Sequence, residues 1–259
     1  MSGIAADTGL HKVELAPGTW FWVPHEGEAH WQYGEMFREG CYDDVRLPAD
    51  ALVVDVGANI GLFSYFVRQL SPTARVLAFE PMPLPLAALR RNLDLHGMAA
   101  GVTVQECALG ARTEEAVPFV YYPRAPGNST RYPEQKELQI DVLSREGPRE
   151  YVRSYYVGTQ VPVRVERLSA FLTRGDRVDL LKIDVEGAEL DVLHGIEAAH
   201  WPLLDQVVLE VQDLDGRLDA VLALLELRGL TAAVRPAPLI PADIRTYVVH
   251  AVRAKTGTA

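Results

Sequence analysis

The chain has 259 residues, 48% of them hydrophobic, enough for one large α/β domain with a well-buried core. Its 35 acidic residues against 25 basic ones leave a formal charge of -10, which argues against nucleic acid or an anionic membrane surface as partner. Cys41 and Cys107 are too few for a disulfide framework or a thiolate zinc site, no long apolar run occurs, and the opening Met1-Ser2-Gly3-Ile4-Ala5-Ala6-Asp7 has no leader pattern, so the expectation is a soluble cytoplasmic protein.

Residues 1–50 read as an N-terminal extension. Within it, Trp20 to Tyr42 holds three of the four tryptophans with Tyr33, Phe37, Cys41 and Tyr42, and reads either as a lid over a ligand or as a hairpin or helix packed on a sheet edge. From Ala51 to residue 259, short Val- and Leu-rich runs alternate with helical patterns, the sequence form of a doubly wound, mostly parallel sheet. Ala51 to Val56 is the first strand, Leu62, Phe63, Phe66, Val67 and Leu70 share a helical face, and Arg75 to Glu80 is the second strand. A helix through Leu86, Leu89 and Leu93 stops at Gly97, and Val102 to Cys107 is the third strand. Residues 121–160, with six of the ten tyrosines, break the pattern and read as a substrate-side insertion. Regularity returns with a strand at Val178 to Val185, a helix through Leu190, Leu193 and Ile196, and a strand at Val207 to Val211. After a helix with Leu218, Val221, Leu222 and Leu225, Leu230 to Val234 and Arg245 to Val252 predict a closing antiparallel hairpin.

The sharpest chemical feature is Asp55-Val56-Gly57-Ala58-Asn59-Ile60-Gly61, at the junction of the first strand and first helix, where doubly wound folds bind ligands. Small residues there admit a ligand to the backbone, and a helix N-terminus offers N–H groups to a carboxylate. A dinucleotide fingerprint would need glycine where Asn59 stands. Glu80 follows Gly57 by 23 positions, at the end of the second strand, where a carboxylate can accept both hydroxyls of a ribose. In Leu180-Leu181-Lys182-Ile183-Asp184-Val185-Glu186-Gly187-Ala188-Glu189, charges interrupt a strand expected to be buried. If that strand is extended, Lys182, Asp184 and Glu186 share one side and find partners in Asp55 and Glu210 at neighbouring strand ends.

Together with Phe79-Glu80-Pro81, Cys107-Ala108-Leu109-Gly110, Gly127-Asn128-Ser129, Leu193 and Gly195, these motifs make Val53 to Val211 resemble the FkbM-type methyltransferase family. The resemblance implies a Rossmann-like class I methyltransferase fold, a seven-stranded sheet with an antiparallel last strand, and S-adenosyl-L-methionine as cofactor. It implies Asp55, Gly57, Asn59 and Gly61 around the methionine part, Glu80 on the ribose, Pro81, Met82, Ala108 and Leu109 along the adenine, and Asp184 beside the transferring methyl. It further implies O-methylation of a small specialised metabolite, a polyketide, peptide or sugar intermediate, free or tethered to a carrier protein. Asp184, Glu186 and Glu210 are the candidates for base or acceptor orientation, with His25 and His30 as outsiders, and Gln212 stands where the family often carries a histidine. No metal ligand set is read. Arg124, Arg131, Arg149 and Arg153 could form a basic patch for a carrier protein. The alternatives on the same fold are a nicotinamide-dependent oxidoreductase, disfavoured by Asn59, and an inactive cofactor-binding scaffold.

Overall fold

The structure, a computed structural model, describes residues 9–173 and 175–254. The opening heptapeptide and the outer ends of the 1–50 and 51–259 segments lie outside these residues.

An antiparallel hairpin, β1 (His11–Ala16) and β2 (Thr19–Val23), comes first and buries alternate residues Val13, Leu15, Phe21 and Val23. Helix α1 (Glu26–Phe37) follows, capped by His25, whose Nδ1 accepts from the Glu28 N–H at 3.2 Å. The aromatic-rich segment is thus both hairpin and helix.

The main sheet is built from β3 (Leu52–Val56), α2 (Leu62–Leu70), β4 (Arg75–Phe79), α3 (Pro83–Leu95) and β5 (Val102–Gln105), with β3, β4 and β5 in parallel register. The third strand is shorter than expected: Gln105 is the last residue opposite Phe79, and Ala108–Leu109 leave the sheet as β6. β6 joins β7 (Glu114–Tyr121) and β8 (Thr159–Glu166) in a separate three-stranded sheet of order β6-β8-β7. Between β7 and β8 the insertion carries two short helices, α4 (Lys136–Leu143) and α5 (Arg149–Arg153), where an irregular loop was expected.

The chain re-enters the main sheet as β9 (Leu180–Ile183), followed by α6 (Glu189–His194), β10 (Gln206–Gln212), α7 (Arg217–Leu227), β11 (Leu230–Pro236) and β12 (Thr246–Arg253). The order is β11-β12-β10-β9-β3-β4-β5, with β12 antiparallel to both neighbours, which is the doubly wound fold and closing hairpin that the pattern predicts. Neighbouring residues of β3 face opposite ways: Val53 joins a core with α1, α2 and α3, while Val54 and Val56 join one with α6 and α7. Each such buried side chain contributes roughly 1.5–3 kcal/mol. Among the described residues no helix is long and apolar enough to cross a membrane.

Candidate active site

Strand order reverses between β3 and β9, and the loops leaving these strands open a cavity of about 590 Å³. β3 ends where Gly57 turns at φ 82°, and a Cβ there would stand 1.9 Å from the backbone oxygen of Asp184. Only glycine fits, so the two loops touch backbone to backbone. The same contact shortens β9: Asp184 donates its N–H to Val56 O at 3.1 Å, and Glu186 then turns back with φ 54°. Asp184 and Glu186 therefore lie on the loop after β9 and do not share one side of an extended strand, as the sequence led us to expect.

Lys182 alone stays on the strand, 3% exposed. Its Nζ lies 3.3 Å from Asp55, 3.7 Å from Asp184 and 2.7 Å from the Gly57 carbonyl oxygen to which it donates. Burial opposes its charge, but Asp55 and Asp184 outweigh burial and hold the ammonium above its usual range. Asp55 is fully buried, accepts from the Ser64 hydroxyl at 3.2 Å, and is itself raised by burial despite Lys182.

Glu80 closes the floor. Its two oxygens accept from the N–H groups of Asn59 at 2.8 Å and Met82 at 2.7 Å, and burial raises its carboxyl to about 7. Each oxygen keeps a lone pair for a ligand hydroxyl. Asn59 adopts the left-handed conformation its short polar side chain tolerates, gives its amide to Gln32 Oε1 at 3.1 Å, and leaves a buried Oδ1 without a partner. That orphan acceptor suits a ligand amine.

Of the residues singled out from sequence, Gly57, Asn59, Glu80, Pro81, Met82, Ala108, Leu109, Asp184, Glu186 and Glu210 all border this one cavity. Asp55 and Gly61 do not: the first sits beneath Lys182, and the second precedes α2 with φ 89°. His25 reaches the cavity wall, whereas His30 faces Glu26 on the outer side of α1. Gln212 donates to the Ile244 carbonyl at 3.2 Å. His200 is buried, with Nδ1 2.8 Å from the Ser169 hydroxyl.

Sequence reasoning missed the polar face of α1. Glu28, Gln32 and Glu35 are spaced i, i+4, i+7 and all line the cavity, so the helix in the aromatic-rich segment supplies a polar wall of it. Glu28 accepts from the Gly127 N–H at 3.0 Å, and at Gly127 a Cβ would meet Gln32 Nε2 at 2.4 Å. Helix α1 is thereby latched both to the loop after β3 and to the insertion. On the far side, buried Lys136 pairs with Glu186 and donates to Asn128 Oδ1 at 3.1 Å. The four arginines make no basic patch. Arg124 stacks on Tyr155 at 4.0 Å, Arg131 faces Glu114 and Asp191, Arg149 pairs with Asp141, and Arg153 with Glu137.

Burial lifts the carboxyls of Glu28 and Glu35 from 4.5 to about 8, and those of Glu80 and Glu189 to about 7. Carboxyls that hold protons more tightly folded than unfolded stabilise the chain fully below pH 4.5 and lose that contribution as pH rises through 7 and 8. Urea unfolding of the free chain is expected to give lower stability at about pH 8.5 than at about pH 6.5; equal stabilities would contradict the assignment.

Comparison with known proteins places this geometry in a family. Residues 55–230 match the Methyltransferase FkbM domain. The chain is 38% identical over 229 residues to Methyltransferase 1 of Beauveria bassiana (strain ARSEF 2860), covering 87% of this chain and 90% of that protein. It is 38% identical over 237 residues to the 31-O-demethyl-FK506 methyltransferase FkbM of Streptomyces tacrolimicus, covering 82% and 86% respectively. The crystal structure of Methyltransferase FkbM from Methylobacillus flagellatus KT superposes with a TM-score of 0.53 at 18% identity, over 83% of this chain and 47% of that one. With its cavity at the switch point, its class I sheet and these matches, the chain belongs to the FkbM methyltransferase family and is a methyltransferase with an S-adenosylmethionine-type cofactor.

Proposed function

We propose that the chain transfers the methyl group of S-adenosylmethionine to a hydroxyl of a small specialised metabolite, free or carried on a carrier protein. The observation that carries this reading is the convergence on one cavity of Glu80, with a lone pair free on each oxygen, and the orphan Oδ1 of Asn59. The relative named for an O-demethyl metabolite supports oxygen as the acceptor atom and a specialised metabolite as its source. Arg149 and Arg153, each paired with a carboxylate, give no support to an electrostatic carrier-protein dock at that face.

On this reading Glu80 accepts the two ribose hydroxyls, Asn59 Oδ1 takes the amine, the Gly57 turn lies along the methionine part, and Pro81, Met82, Ala108 and Leu109 enclose the adenine. When bound, the donor supplies an electrophilic methyl on a sulfonium. The protein's task is then alignment and proton removal. Lys182 fixes Asp184 at the methyl end, while Glu186 and Glu210 face the acceptor; the insertion covers that side with Tyr151, Tyr155 and Tyr156. Asp55 and Gly61 act from behind, by setting Lys182 and opening α2.

Incubation with ¹³C-methyl-labelled donor and a panel of hydroxylated metabolites, free and thioester-linked to a carrier protein, tests this. The label is expected in a methoxy resonance of the product. Label found only on nitrogen or carbon would refute hydroxyl transfer.

A further inference from the structure

Four carboxyls that act on one another line the cavity: Glu35 from α1, Asp184 and Glu186 from the loop after β9, and Glu210 from β10. Two ammoniums reach them, and both are already engaged. Lys182 is divided among Asp55, Asp184 and the Gly57 carbonyl, and Lys136 is held by Glu186 and Asn128. Glu35 and Glu210 have no hydrogen-bond or ion-pair partner for their carboxyls among the described residues, and Glu35 Oε1 is sealed from solvent. The other groups facing the pair are Glu189, Cys41 and Tyr42, none of them cationic. Arg235, beyond Cys41, is bound to the Cys41 carbonyl and lies 3.2 Å from Asp44. Burial and the neighbouring carboxylates raise Glu35 to about 8 and push Glu210 upward as well, and with two already engaged ammoniums among these carboxyls the cluster favours retaining a proton. Unpaired carboxyls facing a cavity lack one thing, a counter-charge.

We propose that Glu35 and Glu210 recognise the positive charge of the methyl donor, that sulfonium binding displaces a proton from this pair, and that the carboxylate so formed at Glu35 accepts the proton of the acceptor hydroxyl. This rests on the reading of the cavity as an S-adenosylmethionine site. The hydroxyl oxygen's lone pair forms the new O–C bond, the electrons of the broken C–S bond stay on sulfur, and the hydroxyl proton goes to Glu35. Sulfonium and carboxylate become thioether and carboxylic acid, so the uncharged product leaves a neutral pair and has lost the contact that held the donor. Donor and product share adenosine, amine and carboxylate, and therefore share Glu80 and Asn59. The difference between them isolates the sulfonium. Donor affinity relative to product affinity is expected to rise with pH, toward about tenfold per unit at most, until the pair ionises by itself.

Calorimetric titration of the full chain with S-adenosylmethionine and with S-adenosylhomocysteine, at about pH 7 in phosphate and in Tris, reads proton release from the buffer dependence of the heat. The donor is expected to release about one proton more per site than the product. Glu35→Gln and Glu210→Gln should each remove that excess and cut the donor-over-product preference by about tenfold, while retained product binding shows that the variants fold. Equal proton release for the two ligands, or an undiminished excess in both variants, overturns the proposal and leaves the donor site standing. Failure of either ligand to bind the folded wild type overturns the donor site, and this proposal with it.

Discussion

Lys182→Met is expected to cost the fold about 3–5 kcal/mol, because the residue it leaves behind is a buried carboxylate with no cation. Asp55 is 0% exposed and would keep only the Ser64 hydroxyl at 3.2 Å, while the Gly57 carbonyl would lose its 2.7 Å donor. The charge pair is not itself the source of stability; the loss comes from orphaning one partner. Adding Asp55→Leu to Lys182→Met should therefore recover most of what the single change loses. In the single variant Asp55 takes up a proton to avoid the cost, so the variant gains stability as pH falls below neutrality. Urea unfolding of both variants checks this, and a single-variant loss below about 1 kcal/mol would show that Asp55 is not the isolated charge described.

Glu80→Ala is expected to weaken S-adenosylhomocysteine binding by about 100- to 1000-fold, the loss of two hydrogen bonds to a charged acceptor at roughly 1.5–3 kcal/mol each, partly offset by water. The same change strips acceptors from the N–H groups of Asn59 and Met82, at 2.8 and 2.7 Å, so the loop that carries Asn59 loosens as well. Glu80→Gln separates the two effects. Its amide keeps the shape and one acceptor, and should cost about tenfold. Equal affinities for Glu80→Ala and wild type would remove Glu80 from the ligand site.

The fold was legible because apolar period and strand punctuation agree along most of the chain. Val53 and Val54 face opposite cores, as a doubly buried strand requires, and Asn59 in place of a glycine separated this turn from a dinucleotide site. Where the reading failed, a local signal hid a tertiary one. Val161, Val163 and Val165 alternate as a strand should, but Pro162 interrupts them and Pro118 sits directly opposite in β7, so the β7–β8 pair of the three-stranded sheet was not assigned from sequence. The positive φ of Glu186 could not be foreseen at a non-glycine position, and it turns the expected charged strand face into a loop. The Glu28, Gln32 and Glu35 face of α1 was present as spacing, yet in an acidic chain such a face reads as solvated. Arg149 and Arg153 looked like part of a patch because Glu137 and Asp141, which pair with them between α4 and α5, stand eight to sixteen positions away in sequence.

On this reading the cavity between β3 and β9 holds an adenosyl methyl donor. Calorimetric titration of S-adenosylhomocysteine into the wild-type chain, beside a parallel titration of NAD, tests it most directly. One site per chain with micromolar affinity for the adenosyl ligand, and no saturable heat from NAD, is the expected result. Saturable NAD binding, or no binding of S-adenosylhomocysteine to a protein that unfolds cooperatively, would contradict it.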